Sequence, residues 1–492
     1  MLIWFLPLFL LFLMLGLPVF FGLLAAPGLL LALDGSQRDI NLLYRNLYNG
    51  MDSFPLMALP FFLLAGEIMN RGGITERLVD FSQAFMGHLR GGLAHVNILS
   101  SILFAGLSGS AVADTSALGS TLIPAMEKQG YTRRFAAAVT AASSVIGPII
   151  PPSGIMIIYA YVMGESVAAL FLAGIVPGVL VGVGLMIVVR LMADRYGLPQ
   201  AERVVRQTQP LSGTEHWISF ALLRLNIAGL MLWLASFVGL PESAALDLVL
   251  FAAFLLAAHL MLLAWRRRVD PDFCTVCKKA VAPMQTPIII LGGIVFGVFT
   301  PTEASAIAVA YALLIAFGVL RSMSLSDLGP VLARSAMASA TVLLLVGAAV
   351  AFKTVVSLSH APEILADFIL SLSENPLTLL FLINLLLFVV GMFLDAGPAI
   401  IILGPILGPM FTDLGVHPVH FAMIMSVNLT VGLATPPMGL VLFVASSVSG
   451  ERVETISRAI LPFLAVEVLV ILLITYVPAI SLTIPRLTGF VN

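Results

Sequence analysis

Ser143-Ser144-Val145-Ile146-Gly147-Pro148-Ile149-Ile150-Pro151-Pro152-Ser153-Gly154 interrupts an apolar run in the first half of the chain. Asn428-Leu429-Thr430-Val431-Gly432-Leu433-Ala434-Thr435-Pro436-Pro437-Met438-Gly439 repeats the pattern in the second half. The Pro-Pro-x-Gly endings align, and small polar residues precede both. Glycine and proline inside a helix leave backbone groups without intrahelical partners. At membrane depth that is tolerated only where the backbone is buried in protein or lines a cavity. One such stretch reads equally well as a kink in a packed helix. Two, in matching order in opposite halves, point to the binding site of a transporter. Half-helix N-termini there aim free N–H groups at an anion. Unwound carbonyls and Ser or Thr hydroxyls suit a hard cation such as sodium.

The rest of the chain supplies the membrane setting. Of 492 residues, 60% are hydrophobic and 10% charged, against roughly 25% charged in a soluble domain. Apolar runs of about 20 residues recur from end to end, each long enough to cross a bilayer core. Helices are the only spanning element for such runs. They are expected near 3–17, 19–33, 52–70, 135–160, 168–190, 217–238, 244–265, 286–299, 302–320, 336–358, 420–446 and 459–480. The fold class is therefore an all-α polytopic membrane protein with about twelve transmembrane helices. The first charged residue is Asp34, so the N-terminus lacks the basic flank of a secretory signal and is kept as membrane sequence. The net charge of −2 gives no footing for nucleic acid.

Lys and Arg mark cytoplasmic loops. They gather at Arg71, Arg77 and Arg90; at Lys128, Arg133 and Arg134; at Arg190, Arg195, Arg203 and Arg206; and at Arg266, Arg267, Arg268, Lys278 and Lys279. Arg321 with Arg334, and Arg452 with Arg458, complete the set, whereas connections 359–376 and 412–419 carry none. The pattern is self-consistent if 91–127 enters and leaves from the cytoplasm and 376–412 from the other side. Both are then re-entrant helical hairpins. The first contains Asp114 with Pro124 ten residues on, and the second Asp395 with Pro405 ten residues on. The openings correspond too: a broken pair at 3–33 answers 286–320, interrupted at Thr300-Pro301-Thr302-Glu303-Ala304. The expected organisation is a first inverted repeat at 1–196, with hairpin 91–127 and broken helix 135–160. A segment at 197–283 follows, and a second inverted repeat at 284–492 with hairpin 376–412 and broken helix 420–446.

On these motifs, with Asp52-Ser53-Phe54-Pro55-Leu56, Gly106-Leu107-Ser108-Gly109-Ser110 and Phe299-Thr300-Pro301-Thr302-Glu303-Ala304, the chain resembles the large membrane subunit (M or DctM) of tripartite ATP-independent periplasmic (TRAP) transporters. The similarity covers about 1–196 and 284–492. It implies an ion-transporter-superfamily fold of elevator type in a bacterial inner membrane, importing an organic acid with sodium as the coupling ion. It also implies a periplasmic substrate-binding protein (P) and a small four-helix membrane subunit (Q), with no cofactor. Carried over by position, one sodium site would use Ser108 and Ser110 with the backbone at Gly147, Ile150 and Pro152. The other would use Gly391 with Gly432, Thr435 and Met438. Ser153 and Asp395 would face substrate or ion. The chain departs from the family at 197–283, where two extra apolar runs form a hairpin, read as a peripheral scaffold element at the Q or lipid contact.

Charges at membrane depth usually face the protein interior. Asp395, at a hairpin tip, is read as functional on that ground. Asp114 suits an N-cap of its hairpin arm as well as a site role. Glu67 and Glu303 are read as hydrogen-bonded structural groups, Lys353 as the partner of an acid, and His95 with Asn97 as packing. His259 has no evident chemistry. Cys274 and Cys277, placed in a cytoplasmic loop, supply two thiolates where structural zinc wants four ligands, and exclude a disulfide framework. No Gly-x-x-x-x-Gly-Lys-Ser/Thr loop is present for direct ATP use. An intramembrane enzyme would need paired aspartates on facing spans or a His-Glu-x-x-His helix, and neither occurs. A self-sufficient sodium/carboxylate symporter, needing no binding protein, is the alternative transport reading.

Overall fold

The computed structural model describes residues 4–33, 37–195, 197–199, 211–236, 244–358 and 375–491. Every regular element among them is helical. The first half holds α1 (Phe5–Met14), α2 (Val19–Leu33), α3 (Gln37–Met51), α4 (Ala58–Arg71), α5 (Ile74–Met86), α6 (Gly92–Ser108), α7 (Ala111–Lys128), α8 (Arg133–Ser144), α9 (Gly154–Met163) and α10 (Val167–Arg195). Then come α11 (Gly213–Ser236), α12 (Ala244–Arg266), α13 (Pro271–Val295), α14 (Pro301–Leu313) and α15 (Leu325–Leu358). The chain ends with α16 (Pro376–Phe393), α17 (Ala396–Asp413), α18 (Pro418–Gly432), α19 (Leu440–Ser449), α20 (Val453–Tyr476) and α21 (Ala479–Leu487).

Among the described residues seven helices are long and apolar enough to cross a bilayer, or eight if Leu43–Met51 and Pro55–Arg71, bent by 57°, count as one span. The expectation of twelve crossings counted 135–160 and 420–446 as single spans, and each is broken here into two short helices. Helices α8 and α9 hold 12 and 10 residues. At ~1.5 Å per residue each covers about half of a ~30 Å core.

The two halves share a register. Ala111–Lys128 and Ala396–Asp413 each hold 18 residues, and their starts lie 285 positions apart (396 less 111). The same offset joins Gly147 to Gly432 and Pro151-Pro152 to Pro436-Pro437, and both Pro-Pro bonds are cis. This corrects the pairing of Asp114 with Asp395 by one helical turn. Ser110 caps α7, its hydroxyl accepting from the Ala113 N–H, whereas Asp395 caps α17. Asp395 therefore answers Ser110, and Pro409, not Pro405, answers Pro124.

Packing crosses between the halves. Helix α9 lies on α17 and α19 on α7; α8 packs on α20 and α18 on α10. Close approach comes from small residues, as is usual where lipid offers no hydrophobic drive between helices. Ala136, Ala137, Ala138, Ala141 and Ala142 bury the length of α8. On α10, Gly174, Gly178 and Gly182 recur every fourth residue and meet Ile149, Ile150 and Ile102.

The 197–283 segment gives α11 and α12, packed on each other, with α11 also on α13. Only 11% and 6% of their apolar windows are buried, against 72% for Ala396–Asp413, so this pair stands at the periphery. It is pinned by an Arg77–Glu215 ion pair and by Ser219, whose hydroxyl donates to the Lys278 carbonyl at 2.7 Å. Connection 239–243, residues 359–374, Asp34, Arg203 and Arg206 lie outside the described residues.

Other expectations need correction. Cys274 and Cys277 are on α13, not in a loop, because Asp270 caps a helix that opens at Pro271. That helix begins 15 residues before the expected 286 (286 less 271). Helices α3 and α5, partly polar, occupy stretches read as connections.

Candidate functional site

Each hairpin turns at its tip in two residues and sets that tip against a helix break. At the first, α6 ends at Ser108 and Gly109 takes φ +60°, a conformation open to glycine. A Cβ at Gly109 would stand 2.7 Å from the Pro152 carbonyl oxygen and 3.5 Å from Ser153 Cα, so the tip is pressed onto the break. One turn into α7, Asp114 is fully buried. The Ser108 hydroxyl donates to its Oδ1, while among the described residues Oδ2 has no hydrogen-bond partner. That oxygen occupies the place a side chain at Gly147 would take. Asp114 is therefore not the cap of its arm, and it faces the break.

The first break is itself buried from Val145 to Ser153, with Ile150 partly exposed. Among the described residues no hydrogen bond is donated to the carbonyls of Gly147, Ile150 or Pro152. Buried carbonyls without donors are under-satisfied, and hard cations take oxygen ligands of this kind. Ser153 closes the break as the cap of α9. Its hydroxyl donates to the Pro148 carbonyl at 2.5 Å and accepts from the Met156 N–H at 3.4 Å. Behind it a buried polar cluster locks α6 to α8. Asn97 donates to Thr140 at 2.6 Å, Ser143 donates to Asn97 Oδ1 at 3.1 Å, and Ser101 donates to Ser143 at 2.9 Å.

The second tip is built differently. Gly391 on α16 packs backbone to backbone on α18: a Cβ there would stand 2.7 Å from the Leu429 carbonyl and 3.0 Å from Gly432 Cα. Asp395 is exposed at the tip, and its carboxylate accepts from the Ala396 N–H at 2.8 Å. In this break the Gly432 carbonyl accepts from Thr435 N–H at 2.9 Å, and the Thr435 carbonyl from Gly439 N–H at 3.2 Å. The Thr435 hydroxyl donates to Val431 at 2.9 Å. Met438 is 49% exposed, so this break opens outward where its counterpart is closed. Asn428, which answers Ser143, donates to Asn384 Oδ1 at 2.5 Å, and Thr475 donates to the same oxygen at 3.1 Å.

The structure thus gathers Ser108, Ser110, Gly147, Pro152 and Ser153 at one tip and Gly391, Gly432 and Thr435 at the other. Ile150 turns toward α10, where it meets Gly178. Glu303 completes a capping box with Thr300, and Glu67 pairs with Arg334 at 2.7 Å. Among the described residues Lys353 meets no acid; its Nζ donates to the Val162 carbonyl at 2.6 Å, near the C-terminus of α9. His259 accepts from Arg224 Nε at 2.9 Å. The sequence left Asp114 open between a cap and a site role because serine and aspartate cap helices equally well. Its place four residues beyond Ser110, and so inside the arm, was the available signal.

Comparison with known proteins gives the family and the fold. A "C4-dicarboxylate TRAP transporter large permease protein DctM" of Pseudomonas aeruginosa is 35% identical over 95% of this chain and 94% of its own length. The "Sialic acid TRAP transporter large permease protein SiaM" of Vibrio cholerae is 35% identical over 96% and 95%. An uncharacterised Salmonella typhimurium protein, YgiK, is 38% identical over 96% and 94%. The Alcanivorax borkumensis YdaH transporter shares the fold at a TM-score of 0.55 and 18% identity, over 92% of this chain and 89% of that one. The family model "Tripartite ATP-independent periplasmic transporter, DctM component" matches residues 6–480, and the chain belongs to that family: it is a multi-pass membrane transport subunit, not an enzyme.

Proposed function

We propose that this subunit imports a small organic acid across a bacterial inner membrane, driven by sodium and supplied by a periplasmic binding protein. The observation that carries the reading is the pair of hairpin tips seated on equivalent helix breaks at one constant offset. In this reading residues 1–196 and 284–492 are inverted repeats, 91–127 and 376–412 are re-entrant, and about twelve helices cross the membrane. The undonated carbonyls of Gly147, Ile150 and Pro152, with Ser108 and Ser110, would hold one sodium ion. Gly391, Gly432, Thr435 and Met438 would hold another. Ser153 and Asp395 face the substrate. In the first turn of α19, which Gly439 leaves without a side-chain cap, Val441 N–H donates to Leu433 and Leu442 N–H to Gly439, so the Leu440 N–H is the one left for a carboxylate.

Binding sodium offsets the charge of the acid, so the loaded body meets a smaller electrostatic barrier in crossing than one carrying the acid alone. Helices α6 to α9 and α16 to α19 form that body. It moves as a unit past a scaffold that includes α4, α10, α15 and α20, which is alternating access by rigid-body motion. Helices α11 and α12 extend the scaffold. Relatives named for sialic acid, C4-dicarboxylates, isethionate and 2,3-diketo-L-gulonate all carry small anions, which supports the substrate class. Named relatives in which the M and Q parts form one permease protein, such as DctMQ, support a separate Q partner here.

The test is uptake into proteoliposomes holding this chain, with and without Q, the cognate binding protein and a sodium gradient. Uptake requiring all of them is expected. Uptake by the chain alone would replace the tripartite reading with the self-sufficient symporter, and uptake indifferent to sodium would remove the coupling.

A further inference from the structure

Away from both tips, a cavity of about 1030 Å³ opens between α8, α10 and α20. Arg134, Arg452 and Arg458 line it, against a single acid, Glu454. Among the described residues none of these three arginines has an ion-pair partner; Arg133, just outside, pairs with Glu127 at 3.6 Å. Two helix N-termini converge on the same space. Thr132 precedes α8 and Arg452 precedes α20, and neither gives its helix a side-chain cap. First-turn N–H groups and guanidinium groups together favour an anion, phosphate above all.

Phe135, Met192, Leu198 and Pro462 give the wall an apolar part, beside Tyr131, Thr132 and Thr455. Phe135 is fixed there, stacked on Tyr131 at 6.0 Å and tilted against Phe463 at 5.8 Å. The apolar spans Val167–Asp194 and Val453–Tyr476 end and begin at this level, which is the depth of lipid headgroups. A free inorganic anion would use the arginines and leave the apolar wall idle. A phospholipid uses both, its phosphate on the guanidinium groups and its acyl chains along Phe135 and Pro462.

We propose that this cavity binds an anionic phospholipid of the cytoplasmic leaflet. Basic residues read from sequence as separate topology markers, at 134 and at 452–458, thus form one site. Because α8 belongs to the proposed moving body and α20 to the scaffold, the bound lipid also bridges the surfaces that slide. That consequence rests on the proposed function; the binding does not.

The experiment measures binding of phosphatidylglycerol, phosphatidylcholine, inorganic phosphate and succinate to the purified full-length chain, by thermal shift and by lipid retention in native mass spectrometry. Phosphatidylglycerol should bind at least tenfold tighter than phosphatidylcholine. Each of Arg134→Gln, Arg452→Gln and Arg458→Gln should weaken it about fivefold, and the triple variant about a hundredfold. Glu454→Gln should tighten it about fivefold, which keeps the proposal open to test if the triple variant fails to insert. Equal binding of the two lipids, or a triple variant or Glu454→Gln that leaves phosphatidylglycerol affinity unchanged, would overturn it. So would phosphate or succinate saturating the site without competition from lipid, which would make it a soluble-anion site.

Discussion

The two helix breaks follow one backbone plan and two chemistries. The first is closed and held by side chains: Ser153 caps, Asn97 and Ser143 lock the hairpin, and a buried carboxylate, Asp114, faces Gly147. The second is open and held by backbone: Gly391 lies on Gly432, the Gly432 and Thr435 carbonyls already accept bonds, and the acid stands at the tip. The shared register sets where oxygens can converge. Which oxygens are free, and which are committed, is decided residue by residue.

That contrast can be broken by substitution. The largest effect is expected at Gly432→Ala, whose Cβ would lie 2.6 Å from the Gly391 backbone, which cannot rotate aside. It should abolish uptake and lower stability by about 3 kcal/mol, the upper range for overpacking, whereas Gly147→Ala meets a side chain and should lose about 1 kcal/mol. Thermal unfolding in detergent measures both, and equal losses would erase the distinction. Next, Asp395→Ala should cut uptake about thirtyfold, or about 2 kcal/mol, as for a lost hydrogen bond to a charged group. Asp395→Ser keeps a cap of the kind Ser110 provides; full uptake in that variant would reduce Asp395 to a helix cap. Asp114→Asn preserves size and the contact with Ser108 while removing charge. The sodium concentration for half-maximal uptake should rise about tenfold, or about 1.4 kcal/mol, and an unchanged sodium curve would leave Asp114 a packing group. The smallest contrast is at the caps. Ser153→Ala should cost about 1 kcal/mol, and Met438→Ala, at a half-exposed position, within about 0.5 kcal/mol.

The breaks were legible in sequence because glycine and proline leave few alternatives at membrane depth. The register of the first tip was not. Asp114 and Pro124 imitate the spacing of Asp395 and Pro405, and only the hydrogen bond from Ala113 to Ser110 shows which residue opens the arm. Helices α3 and α5 escaped because the search followed long apolar runs, and these two are partly polar. The start of α13 was signalled by Asp270-Pro271, a cap followed by proline at the first helical position, and was passed over for the apolar stretch beyond it. Lys353 pairs with a carbonyl, and no pattern of charges announces a partner that belongs to the main chain.

The crosswise seating of α9 on α17 and α19 on α7 bears on how the protein is made. During synthesis the amino-terminal half enters the bilayer long before residues 396–413 have left the ribosome. Through that interval α9 has lipid or a chaperone where its helical neighbour will stand. The earlier half is thus born with an unfinished interior, and it closes only when the last third of the polypeptide arrives to clasp it.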